Sequence, residues 1–447
     1  MKRFVISVLL TVYVVVASAQ GGMLTLDSCL ALARTNNARY QYSQYEIERA
    51  REVKAQVFTK FFPQVSLGFN AYYAMRPLIE YNVNDLYEKG DFGEFVASVI
   101  QALNDPEIGG NVPTEVSAMK KGYGVNATAI MPVFAGGRIV NGNRLTKVGV
   151  EAAELKSEVT ERDVLEEVEA SYFLVLGLQE KVATVAAAMA LIDSLDHVVD
   201  KALAAGLITR NDKLLVALKR NELKTKEMQL GNGILLASHL LCHQIGIPYP
   251  EGGLLLERAL DQAGRPASLE EGAFSRPEKR LLELQVEAES LYKKMSVGEA
   301  LPQVGIGVMA TYGNIMDKAK FNTLLFARVS VPLTQWWETS HKMKEHDWKI
   351  REAELQQKEL GEKMQLQEMQ AYNLMIEAAS LLRSDSAALD MAEENYRLSE
   401  LNYKAGMNTI TDVLEANALL LQARNAITDR QITYITARRR YYDLTGR

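Results

Sequence analysis

The chain has 447 residues, with 50 Lys and Arg against 56 Asp and Glu, a formal net charge of −6 and only two cysteines. Near-balanced charge with no basic face argues against nucleic acid as a partner, and two cysteines exclude a disulfide-built scaffold. No Walker loop, nucleophile motif or paired glycosidase carboxylates can be assigned, so the sequence reads as a non-enzyme without a cofactor.

Residues 1–19 read as a secretory signal peptide. Lys2 and Arg3 precede an apolar run from Phe4 to Val16, which ends in Ala17, Ser18 and Ala19. No cysteine follows directly, which argues against a lipid anchor there. Beyond this segment no stretch approaches the roughly twenty apolar residues of a membrane helix, so a membrane would have to be crossed by closed β-structure.

A helix is expected over 25–60, capped by Thr25 or Asp27. Four strands are then predicted from period-two alternation, at 62–73, 122–133, 301–312 and 321–333. In the first, Val65, Leu67, Phe69 and Ala71 oppose Gln64, Ser66, Gly68 and Asn70. In the second, Val125, Ala127, Ala129 and Met131 oppose Gly124, Asn126 and Thr128. In the third, Val304, Ile306, Val308 and Ala310 oppose Gln303, Gly305, Gly307 and Thr311, with Met309 as the exception. The fourth sets Thr323, Leu325, Ala327, Val329 and Val331 against Asn322, Arg328 and Ser330, although Leu324 and Phe326 interrupt its polar face. Each segment has the length of one tilted crossing of an outer membrane, and Arg328 suits a wet barrel lumen better than a dry core. Aromatic residues at the strand ends, including Phe62, Tyr73, Tyr123, Phe321, Trp336 and Trp337, fit an interfacial girdle. Four strands cannot close on themselves, so the barrel is expected to be shared between copies of the chain. The long segment 74–122 is expected to face the outside, with a small helical plug over 92–103 as one option, and 313–320 is a short turn.

Two runs without proline, 137–205 and 338–405, are each long enough for a continuous helix of about 100 Å. Apolar positions recur along the second at spacings too irregular for a simple heptad zipper. A shorter helix from Pro277 to Val297 feeds the third strand. Residues 244–276, rich in Gly and Pro, read as a connector with a short helix near Leu254 to Leu260. It separates two structural repeats, 20–243 and 277–447. Phe62-Pro63-Gln64-Val65 recurs as Leu301-Pro302-Gln303-Val304, Pro132 matches Pro332, and Gly206 matches Gly406.

Cys29 and Cys242 can pair in an oxidising compartment, although isolated apolar sites of this kind more often hold small buried hydrophobes. His239 and His243 can share a helix face, but no third metal ligand is evident.

Each long run breaks at a glycine, in Ala205-Gly206-Leu207-Ile208-Thr209 and Ala405-Gly406-Met407-Asn408-Thr409. Glycine stops the helix in the left-handed conformation, and Thr209, with Thr409 or Thr411, can cap the returning helix. The ordered set resembles the TolC-type outer membrane efflux proteins over nearly the whole chain: Leu24-Thr25-Leu26-Asp27 opening the first helix, the proline-led strands, the long helices and the paired Ala-Gly tips.

The resemblance implies an all-α barrel of long helices continuous with a β-barrel, four strands per protomer, assembled as a homotrimer in the outer membrane with a large periplasmic portion. It also implies docking to a periplasmic adaptor and an inner membrane pump. Gly206, Leu207, Ile208, Gly406, Met407 and Asn408 would form the adaptor contact, although the apolar ones can equally fill the turn. Asp412 and Glu415 match the acidic pair of the family's constriction; acids in a helix's first turn also stabilise it by themselves. Tyr403 and Asp212 match positions that bond across hairpins in the closed state. Asn408 stands where the family pattern can show an arginine, so that ionic latch is missing. Small-molecule efflux is the leading expectation. A protein-secretion conduit and a non-pore coiled-coil protein are the alternatives.

Overall fold

The computed structural model describes residues 23–76, 79–82, 94, 98–99, 101–102, 115–118, 120–206, 208–258, 276–314 and 319–445. The signal segment and most of the possible plug over 92–103 lie outside them. Contacts divide the chain into two compact units, one of 1–50, 150–286 and 352–447, the other of 51–149 and 287–351.

The first unit is helical. Helix α1, Leu26–Asn36, opens on Thr25, whose Oγ1 accepts from the Ser28 amide at 3.1 Å, with Asp27 in the first turn and Arg34 in the last. The helix expected over 25–60 is broken at Asn37, which has an extended ψ of 124°. Its side-chain oxygen accepts from the amides of Arg39 at 2.9 Å and Tyr40 at 3.2 Å, starting α2, Ala38–Phe58, afresh. The long helix α3, Arg138–Ala204, runs for 67 residues and returns as α4, Arg210–Ile245.

Cys29, Leu30 and Ala33 of α1 pack with Val168, Tyr172 and Leu176 of α3 and with Leu241, Cys242 and Ile245 of α4. Both cysteines are free and buried. Burial pushes the Cys29 thiol up to about 12, with Cys242 adding to the shift. The expected helix near 254 is absent among the described residues. Leu256 instead forms a parallel bridge with Leu24, because the Leu24 amide donates to Leu255 O and the Glu257 amide to Leu24 O, both at 2.9 Å. Leu254 and Leu256 thereby enter the core, where the Tyr172 hydroxyl donates to Glu257 O at 2.7 Å.

By length and composition α3 is apolar enough to cross a membrane, contrary to the expectation that no helix is. Its apolarity has another use here. Val185, Ala188, Ile192, Leu195 and Val199 are buried at alternating steps of three and four, the spacing of packed helices. They meet Val216 and Leu223 of α4, Tyr396 of α6 (Gln335–Lys404), and Ile410, Val413 and Ala416 of α7 (Ile410–Thr445). Fully burying a side chain such as Ile192 is worth about 1.5–3 kcal/mol. Further along, Tyr434 and Tyr441 of α7 fill the space left by Ala371 and Ala378 of α6.

The second unit is built on a four-stranded antiparallel sheet. Its strands are β1 (Gln64–Tyr73), β4 (Lys121–Ala135), β5 (Gln303–Asn314) and β6 (Ala319–Ser330), adjacent in that order. Two short strands that the alternation did not reveal, β2 (Ile79–Asn82) and β3 (Glu115–Ala118), pair with each other in the segment after β1. Helix α5, Pro277–Glu299, leads into β5.

Register follows the alternation. Val65, Ala129, Val308 and Leu325 lie opposite one another across the sheet, as do Leu67, Ala127, Ala310 and Thr323. The register shifts between Pro132 and Phe134, where a bulge accommodates a residue with no amide hydrogen to give. Gly136, at φ 61°, turns the chain from β4 into α3, and any Cβ there would overlap the backbone of Gly298.

Candidate functional site

The hairpin tips repeat one construction. Gly206 and Gly406 take φ of 69° and 74° and have open space around them, so backbone conformation alone requires glycine. At the second tip the Gly406 amide donates to Tyr403 O at 3.0 Å and the Met407 amide to Asn402 O at 2.8 Å, which closes the helix end. Thr409, rather than Thr411, caps the returning helix. The carboxylate of Asp412 accepts from both the amide and the hydroxyl of Thr409 at 2.8 Å, while the Asp412 amide donates to Thr409 Oγ1 at 3.3 Å. Thr209 and Asp212 have the same three distances. Hydrogen bonds from Thr209 and Thr409 hold the Asp212 and Asp412 carboxyls below their ordinary range.

Asp412 therefore has a local partner, whereas Glu415, exposed one turn on, has none among the described residues. The Tyr403 hydroxyl is buried without a hydrogen bond. Burial raises its pKa, and the nearby charge of Asp212 adds to the shift. The structure thus brings Tyr403 and Asp212 near each other without bonding them. Met407 is 71% exposed, Asn408 half-buried, and Ile208 packs against the core; Leu207 lies outside the described residues.

Salt bridges cross each hairpin. Lys213 pairs with Asp200 and Arg220 with Asp193 in the first, and Arg424 pairs with Glu393 and Arg430 with Asp385 in the second. His239 stacks on Tyr249 at 4.1 Å, and no metal-binding group of three is found among the described residues.

One buried acid has no signal in the sequence. Glu169 of α3 is bonded through Oε2 to Arg439 Nε at 2.9 Å, while its buried Oε1 has no partner. Burial pushes it up to about 7; Arg439 opposes the shift, and Asp443 and Glu166 add to it. Arg439 and Asp443 stand some 270 positions away, beyond the reach of any spacing rule.

On the sheet, one face is apolar on all four strands, with Val65 76% and Leu325 76% exposed. Arg328 is on the other face, exposed and without an ion pair or hydrogen bond to any described residue.

Strand, sheet and long-helix order together define a TolC-type outer membrane factor fold. Solved structures share it. The Campylobacter jejuni CmeC outer membrane channel superposes with a TM-score of 0.72 at 12% identity, covering 94% of this chain and 85% of that one. The open state of the Neisseria gonorrhoeae MtrE outer membrane channel gives 0.72 at 15%, covering 94% and 88%. CusC, studied for conformational changes accompanying folding and transmembrane channel formation, gives 0.76 at 11%, covering 94% and 91%. No protein-family model matches the chain, and the curated proteins yield no match either.

Proposed function

We propose that this chain is the outer membrane channel of a tripartite efflux system, a passive conduit that exports small molecules and catalyses no reaction. The observation that carries this reading is the sheet. One face is apolar on every strand, and the outer edges of β1 and β6 have no neighbouring strand among the described residues. In hydrocarbon each unsatisfied backbone group costs several kcal/mol, so the edges must meet copies of themselves. Three protomers give a twelve-stranded barrel, with Arg328 toward its water. The fold shared with outer membrane channels supports the same assignment and an outer membrane location.

In this reading 20–243 and 277–447 are two structural repeats joined by 244–276, and the like-built glycine tips favour it. The tip residues Gly206, Leu207, Ile208, Gly406, Met407 and Asn408 meet a periplasmic adaptor, and an inner membrane pump supplies the energy. Asp412 and Glu415 line the constriction, where carboxylates from three protomers repel anions and attract cations. Tyr403 and Asp212 set how firmly it stays shut.

The test is conductance of the detergent-purified protein in planar bilayers. Low conductance is expected for the wild type, with a rise on Asp212→Asn or Tyr403→Phe. Asp412→Asn keeps an oxygen to accept from Thr409 while removing the charge, so it separates capping from ion selection: cation preference falls while the fold holds. A monomer soluble without detergent and forming no pore ends the channel reading, and unaltered currents in all three variants end the gate assignment.

A further inference from the structure

The polar face of the sheet is not polar throughout. Three successive cross-strand rows can be followed from the register. Ser66, Thr128, Met309 and Leu324 form one, Gln64, Ile130, Gly307 and Phe326 the next, and Pro132, Gly305 and Arg328 the third. The row before them is polar or small, with Gly68, Asn126, Thr311 and Asn322. Asn126 Oδ1 of that row accepts from the side-chain Nδ2 of Asn70, one row further on, at 3.0 Å.

Four large apolar side chains, Ile130, Met309, Leu324 and Phe326, thus occupy two adjacent rows on a face where alternation calls for polar ones. Phe326 is placed by packing. A Cβ on Gly307 would lie within 2.9 Å of three Phe326 ring atoms, so the ring lies directly across that glycine, and only glycine leaves it room. Leu324 and Ile130 remain exposed. In the next row stands Arg328, exposed and with no carboxylate to neutralise it among the described residues.

We infer that this face carries a binding band for amphipathic organic anions, with the apolar rows receiving the tail and Arg328 the anionic head. The inference rests on the barrel reading, in which this face turns toward the lumen and threefold assembly repeats the band around it. Charge complementarity selects the anion over a cation with the same tail. A guanidinium beside apolar surface gives a fixed fork of donors to a sulfonate or carboxylate. Burial of an alkyl chain on Phe326 and Leu324 adds attraction that is indifferent to the sign of the head. Cargo of this class would be held transiently near the base of the strands.

The experiment uses two ions with identical tails, octane-1-sulfonate and octyltrimethylammonium, added to wild-type channels in planar bilayers. The half-blocking concentration of each is measured. The sulfonate is expected to block at about tenfold lower concentration. Arg328→Gln should abolish that preference, weakening the sulfonate and leaving the ammonium ion no weaker. Phe326→Ser should weaken both ions to a similar degree, and Leu324→Ser serves as a second probe of the same rows. The acids at the hairpin tips favour cations, so an anion preference lost with Arg328→Gln belongs to the sheet. Equal block by the two ions in the wild type, a preference that survives Arg328→Gln, or block unchanged in both serine variants overturns the inference. A protein that forms no pore overturns the barrel reading with it, whereas a pore showing any of those three outcomes overturns only the band.

Discussion

The two hairpin tips share a backbone and differ in the first turn of the returning helix. Both end a long helix on a left-handed glycine and restart on a Thr-Asp capping box with matching distances. In the first, Arg210 and Lys213 stand where the second has Ile410 and Val413. Lys213 pairs with Asp200 at the surface, whereas Ile410 and Val413 are buried. Glycine and local hydrogen bonds specify the turn, while the side chains with which the returning helix begins decide how far its first turn is buried. Charged ones stay at the surface; apolar ones are drawn into the core shared by the four helices.

The largest effect should come from removing that distinction. Val413→Asp places an unpaired charge in a dry contact and should cost about 3–5 kcal/mol, read from denaturant unfolding followed by circular dichroism. Lys213→Ala, at the matching position, should leave the unfolding midpoint nearly where it was. Comparable losses at the two positions would erase the difference drawn between the tips.

Next in size is a pH effect that separates the capping acids from the buried one. Glu169 is pushed up to about 7, above its ordinary 4.5, by burial. A raised carboxylate contributes stability that is full below pH 4.5 and is lost as pH rises through about 7. Asp212 and Asp412 are shifted down, so their contribution is present above 3.8 and is lost only as pH falls below it. Glu169→Gln should therefore flatten the decline in melting temperature between pH 4.5 and 8, recovering at most roughly 3 kcal/mol at the upper end. A decline as steep as in the wild type would show that Glu169 is not its source.

Smaller and equal effects are expected from the shared turn. Gly206→Ala and Gly406→Ala should each cost about 1–2 kcal/mol, because space is open and only the left-handed backbone is penalised. Thr209→Ala and Thr409→Ala should each cost about 1 kcal/mol by removing a cap. Unequal losses within either pair, measured by thermal unfolding, would show that the tips are not interchangeable even in their turns.

Much of this is legible in the sequence because it is local. Period-two alternation places the four strands and both faces, including the interruption by Leu324 and Phe326, and two proline-free runs anticipate helices of 67 and 70 residues. The glycine breaks carry their own turn chemistry. Features that depend on distant partners cannot be read this way. The Asn37 break takes part of its meaning from Gln244, to whose carbonyl its side chain donates at 2.8 Å. The expected helix near 254 yields to pairing with Leu24, and Glu169 acquires its environment from Arg439 and Asp443. Resemblance alone places the Tyr403 and Asp212 pair, and the structure adds that Asp212 is already engaged by Thr209.

The contact between Gly136 and Gly298 has a consequence for how such a chain can change. One glycine ends a strand in the first half of the sequence and the other lies near the end of a helix in the second, and each fills the space where the other's side chain would stand. Neither can acquire a methyl group unless its counterpart retreats. The two halves of a long polypeptide are ordinarily free to vary independently; here two bare α-carbons tie them together, and change in one half must wait on the other.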